Sequence, residues 1–184
     1  GTTDITVGTL YRSGCRLYQH VDYMKNNTPA YVLYMSDMTT ATENQPPKQI
    51  KKSTMLDGIQ AEDWDIIVMQ MGPFENITSP TLNEDIQTIM DYVNAHKTNP
   101  EAVFAWHMWW AFPEDETLLD TEASTIPDQF MNHFGCDQLA MYENMVADTQ
   151  ARIEPDSRFV YVIPTGTAIQ NANSSYLTDL DIYR

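Results

Sequence analysis

The chain is poor in cysteine, in glycine and in positive charge, and each shortage removes a class of protein. Two cysteines in 184 residues, Cys15 and Cys136, are too few for a disulfide framework, and their spacing does not say whether they pair. Only 7 glycines occur, and neither a Gly-rich phosphate loop nor a dinucleotide fingerprint is among their settings, so no cofactor is expected. Ten basic side chains face 26 acidic ones, a net charge of −16. That field repels phosphate backbones and anionic lipid surfaces, which argues against nucleic acid as a partner. It reads as a solubility device ahead of a means of steering cationic ligands. No run approaches the ~18 apolar residues of a membrane span. Cys-x-x-Cys and His-Glu-x-x-His are both missing, and His20, His96, His107 and His133 show no paired ligand spacing, so no metal is expected. Gly-x-Ser-x-Gly is absent as well. Ser13, beside Gly14, is the one serine in a plausible loop, and nothing near it in sequence marks a base.

What is present describes a globular protein. Hydrophobic residues make up 42% and aromatics 11%, enough to bury the core of one ordinary domain spanning 1–184. Low cysteine, high acidity and many Asn, Thr and Asp residues suit a secreted or cell-envelope bacterial protein. No signal peptide opens the chain, and "GTTDITVG" enters a strand almost at once, as the trimmed start of a longer protein would.

Four segments are predicted as strands: "DITVGTLY" at 4–11, "WDIIVMQM" at 64–71, "AVFAWHMW" at 102–109 and "RFVYVIPT" at 158–165. The middle two are nearly unbroken apolar runs, which suit parallel strands covered on both faces. "AYVLYMSDM" at 30–38 reads as a peripheral strand or hairpin, and the polar "TTATENQPPKQ" at 39–49 as a surface loop. In "SPTLNEDIQTIMDYVNAHK", Leu82, Ile86, Ile89, Met90 and Val93 share one helical face, with Ser79 as cap and Pro80 in the first turn. "CDQLAMYENMVADTQARI" repeats the pattern with Asp137 as N-cap, and "CRLYQHVDYMKNN" and "STMLDGIQ" are shorter helices. Strands alternating with helices in this way predict an α/β sandwich on a mostly parallel sheet, with ligands bound beyond the carboxyl ends of the strands.

Four loops would gather at that edge: "LYRSGCR", "VMQMGPF", "AWHMWWAF" and "VIPTGTAIQNA". Gly14 suits either close backbone approach to a ligand or a simple turn. Gln70 ends a buried run, where its amide must find partners or serve a site. Strand alternation points Trp106 and Met108 one way and His107 and Trp109 the other, with Trp110 at the exit. Trp106 suits core packing, whereas Trp109 and Trp110 suit a wall that stacks on a sugar ring or lines an acyl pocket.

Taken together, "DITVGTLYRSGCRLYQH", "WDIIVMQM", "AWHMWWAF", "CDQLAMYENM" and "IPTGTAIQNANSSYL" resemble a bacterial family within the SGNH (GDSL-like) hydrolase superfamily, in order and spacing over most of the chain. The resemblance implies serine esterase chemistry on a flavodoxin-like three-layer α/β/α sandwich. It matches Gly14 to the oxyanion glycine and Gln70 to the oxyanion amide, usually Asn in the wider superfamily. His107, Trp109 and Trp110 match a segment bordering the cleft, and so a substrate-binding one. By the same resemblance the nucleophile segment lies upstream of "DITVG" and an Asp-x-x-His segment follows "DLDIYR", which leaves the chain as given without triad chemistry. The sheet would then lack its first strand, between the strands at 4–11 and 64–71. That opening would be closed by direct pairing of those two strands, or by a homodimer formed through open sheet edges. The implied substrate is a small-molecule or carbohydrate ester. The alternative is a non-catalytic carbohydrate- or peptide-binding domain with an aromatic cleft.

Overall fold

The computed structural model describes residues 5–37, 47–71, 81–112 and 135–173. It divides into two compact units, one formed by Gly1–Asp65 with Thr81–Ala102, the other by Ile66–Pro80 with Val103–Arg184.

The first unit holds an antiparallel sheet in the order β1-β2-β3, with β1 at Thr6–Tyr11, β2 at Tyr31–Asp37 and β3 at Lys48–Ser53. β1 was expected to run in the parallel sheet and to pair with the strand at 64–71; its partner is β2, with Thr6 opposite Asp37 and Tyr11 opposite Val32. The physical reason is visible in its composition. Its run is broken by Thr6, Gly8 and Thr9, and every residue of it but the half-buried Leu10 is exposed, unlike a parallel strand covered on both faces. The connection from β1 to β2 runs through α1 (Leu17–Lys25). β3 corrects a second expectation, since it occupies the end of the segment read as a loop. Its Lys48, Lys51 and Lys52 are exposed, as befits an edge strand.

Three helices complete this unit: α1, the short α2 (Met55–Ile59) and α3 (Leu82–His96). α3 is helical for the reason its sequence gives: Leu82, Ile86, Ile89, Met90 and Val93 are all buried along one stripe. Fully burying such side chains contributes roughly 1.5–3 kcal/mol each. Its N-cap is Thr81, and the expected cap at Ser79 with Pro80 lies outside the described residues. α1 packs on α3, and α2 packs on β1 and α3. The Trp64 indole lies against Gly8 and donates to the Gly58 carbonyl at 2.9 Å. Inside this core, His20 Nδ1 and the Tyr31 hydroxyl are 2.7 Å apart and the two rings stack. Burial lowers the His20 pKa to about 4.

The second unit carries the parallel sheet, ordered β4-β5-β6, from Ile66–Gln70, Val103–His107 and Phe159–Ile163. The expected strands at 64–71, 102–109 and 158–165 therefore hold, trimmed at their ends. Gln70 lies level with His107, and His107 with Ile163. Trp106 is buried and meets the Phe159 ring edge-on at 5.6 Å, so it belongs to the core. α4 (Gln138–Asp148) begins on Asp137, whose carboxylate accepts from the Ala140 N–H at 2.7 Å, as its sequence predicted. A π-helical turn, Thr149–Ile153, follows. The final helix, α5 (Thr165–Asn173), replaces what was read as a loop. Ala111, Met141 and Met145 form a cluster against which Phe112, Cys136 and Tyr142 pack. Both cysteines are free thiols. No helix among the described residues is long and apolar enough to cross a membrane.

Candidate functional site

The carboxyl ends of β4, β5 and β6 supply one polar side chain each to a single hydrogen-bonded chain. Gln70 is the last residue of β4, His107 the last of β5, and Thr165 the first of α5, two residues beyond β6. His107 Nδ1 lies 2.8 Å from Gln70 Oε1, and His107 Nε2 lies 2.8 Å from Thr165 Oγ1. A carboxamide oxygen only accepts, so with Oε1 towards the ring this pairing takes the tautomer protonated on Nδ1. Nε2 is then bare and accepts from the Thr165 hydroxyl. The neutral ring fits its surroundings, because burial lowers the His107 pKa from its ordinary value. The carbonyl end of Gln70 is thereby occupied. Its NH₂ group makes no hydrogen bond among the described residues, and Gln70 is exposed.

The backbone fixes where these groups stand. Beyond the last pair of the β5–β6 ladder, the Met108 N–H donates to the Ile163 carbonyl at 3.0 Å, and the Gly166 N–H donates to the Met108 carbonyl at 3.1 Å. A Cβ at Gly166 would sit 2.0 Å from the Trp109 carbonyl oxygen, so only glycine lets the start of α5 approach so closely. Gln138 Nε2 donates to Gln170 Oε1 at 2.7 Å and ties α4 to α5. Thr165 is held from both sides.

Trp109 and Trp110 stack on each other with ring centroids 4.4 Å apart and planes 13° from parallel. Trp109 also meets the His107 ring edge-on at 6.4 Å. Its Nε1–H is buried and has no hydrogen-bond partner. Gln70, His107 and Trp109 thus come together, with Trp110 stacked behind. Thr165 was not singled out from sequence, since it was read as the end of a strand. The Thr-Gly pair directly after Pro164 at the carboxyl end of a parallel strand was the signal that pointed to it.

Gly14 belongs to the other unit and is described there. It sits in the turn after β1 with φ +60, a conformation that favours glycine, and a Cβ built there would meet nothing within 4 Å. Turn geometry therefore explains the glycine itself. Neighbouring Ser13 is exposed and makes no bond to a histidine among the described residues. His20 and His96 lie in helices away from any ligand cluster, no group of three His, Cys, Asp or Glu among the described residues could hold a metal ion, and His133 lies outside those residues.

The model of the DUF4886 family, a domain of unknown function, matches residues 2–184, and the chain belongs to that family. Among solved structures, the chain is similar to a DUF4886 family protein from Bacteroides uniformis ATCC 8492, at 22% identity and a TM-score of 0.69. The match covers 95% of this chain and 61% of that one, so the chain spans less than two thirds of the length of its structural relative. No curated protein matches.

Proposed function

We propose that this DUF4886 family member is the core of an SGNH-type serine esterase or acyl hydrolase, built on a flavodoxin-like sandwich, with Gln70 as its oxyanion amide. One observation carries the reading. Gln70 ends a parallel strand with its carbonyl oxygen engaged by His107 and its NH₂ bonded to no partner among the described residues. Such a held donor is what a tetrahedral acyl intermediate needs at its oxyanion. Trp109 and Trp110 supply the aromatic wall for the acyl or sugar part of a small-molecule or carbohydrate ester, an O-acetylated carbohydrate in particular. The Ser and Asp-x-x-His segments of the superfamily would complete the chemistry in a protein of the relative's length. Its setting would be secretion or the cell envelope of a bacterium. β4 and β6 are the outer strands of the parallel sheet, and self-pairing along one of them is the proposed route to a homodimer.

Hydrolysis of p-nitrophenyl acetate, with fluorophosphonate labelling of the nucleophile, tests this in the 184-residue chain and in a family member of the relative's length. Gln70→Ala is expected to lower kcat by about 100- to 1,000-fold where turnover is seen. Turnover untouched by that substitution would remove Gln70 from the oxyanion hole. A second reading, a carbohydrate-binding domain, is favoured by the stacked tryptophans and the orphaned Trp109 N–H. Saturable quenching of tryptophan fluorescence by an acetylated oligosaccharide, without hydrolysis by either protein, would select it.

A further inference from the structure

We infer that His107 is a positioning residue: with Thr165 behind it, the imidazole fixes which end of the Gln70 amide faces outward. The substrate role implied by sequence requires a ring nitrogen free to meet a ligand, and neither is free. Nδ1 is spent on Gln70 Oε1 and Nε2 on Thr165 Oγ1, both at 2.8 Å. A terminal carboxamide has two nearly isosteric ends, and an exposed one turns between them. Only one end donates. If the NH₂ faced His107, a carbonyl oxygen would face the ligand and repel a developing oxyanion.

The imidazole decides between these states through its tautomer. A proton on Nδ1 demands an acceptor, so the amide presents Oε1 to His107 and NH₂ outward. A proton on Nε2 would reverse both bonds, with Thr165 Oγ1 accepting and the amide turned over. Thr165, whose hydroxyl donates or accepts, closes the far end of the relay, and its own place is set by the close approach of Gly166 to Trp109. This assignment rests on the oxyanion reading for its purpose, and on the three-residue hydrogen-bond chain for its geometry. The two are tested separately.

Nitrogen NMR of the intact chain reads the geometry without any turnover. The expected result is a His107 ring protonated at Nδ1 and bare at Nε2, with Gln70 side-chain amide resonances that move toward those of a free exposed glutamine in His107→Ala. Thr165→Ser should preserve the tautomer. Thr165→Val should lose the bond to Nε2, and His107 should then titrate at higher pH. Circular dichroism checks that each variant folds. An Nε2-protonated ring, or Gln70 resonances indifferent to His107→Ala in a folded variant, overturns the inference.

Kinetics on a family member of the relative's length, at the residues equivalent to Gln70 and His107, reads the purpose. There His107→Ala should lower kcat about 10- to 100-fold with KM within twofold, and should add nothing to Gln70→Ala. A rise in KM at unchanged kcat would return His107 to the role of a substrate contact. Absence of turnover would sink the esterase reading and leave the NMR result to decide the positioning.

Discussion

His20 and Asp148 are two buried titratable groups whose effects on stability oppose each other over the same span of pH. Burial holds the His20 pKa near 4, below its ordinary 6.5. As pH falls from 6.5 the unfolded chain takes up that proton first, so stability is lost on the way down to pH 4. Burial raises Asp148 to about 6 from 3.8, against the pull of Arg152, whose Nε is 3.1 Å away. Here the folded chain holds the proton first, so stability is gained as pH falls from 6 towards 4. Each effect is on the order of 1–3 kcal/mol, and they largely cancel in the native chain. The variants should therefore separate. In urea unfolding between pH 7.5 and 4.5, His20→Gln should leave a chain that grows more stable in acid. Asp148→Asn should leave one that weakens more steeply in acid, and should be the more stable variant at pH 7.5. Parallel pH profiles for both variants and the native chain would show that these groups are not buried in the manner described.

At the scale of elements, the contrast between two glycines gives the sharpest test. Gly166→Ala forces a Cβ against a backbone carbonyl that no rotamer change can move, at the junction of β5, β6 and α5. It should cost about 1–3 kcal/mol or more, and change the emission of Trp109 and Trp110. Gly14→Ala meets no atom and suffers only its positive φ, so about 1 kcal/mol is expected, with the tryptophan emission unchanged. Equal losses measured by thermal melting would contradict this picture. The same junction shows what was legible in the sequence. β4, β5 and β6 announce themselves as apolar runs, but only β5 buries its centre, at Phe104, Ala105 and Trp106, while Ile66, Val68, Val160 and Tyr161 are exposed. β1 differs in being broken by Thr6, Gly8 and Thr9, with only Leu10 half-buried, so its pattern does not decide between the two kinds of sheet. β3 was hidden because an edge strand of Lys and Gln has a loop's composition. α5 was hidden because Thr165 and Gly166 are weak helix formers, chosen for the site rather than for the helix. Gln70 and His107 were legible as polar residues at strand ends. Their mutual bond was not, since it depends on the register that sets β4 against β5.

Taken whole, the molecule carries a net charge of −16 on 184 residues. Among the described residues the ion pairs are Arg152 with Asp148 and Arg158 with Asp156, each joining near neighbours in sequence. Neither draws distant parts of the chain together. Repulsion among the remaining carboxylates is spread over the surface, where it acts across roughly 8 Å at physiological ionic strength and only about 3 Å at 1 M. Compaction raises that repulsion, so the folded state carries more of it than the unfolded one. Salt should stabilise this chain, and sodium chloride rising from 10 mM to 500 mM should lift its Tm by a few degrees, at about 2–4 °C per kcal/mol for a chain of this size. Sodium chloride also acts on apolar hydration, and charge reversal separates the two causes. Glu62→Lys and Glu143→Lys, both at exposed positions, should each raise Tm at 10 mM salt and lose that advantage at 500 mM. An advantage that persists at high salt would mean a local contact was made. No advantage at low salt would mean that the distributed charge is already neutralised by bound cations, and the acidic surface would then be read as a cation-binding one.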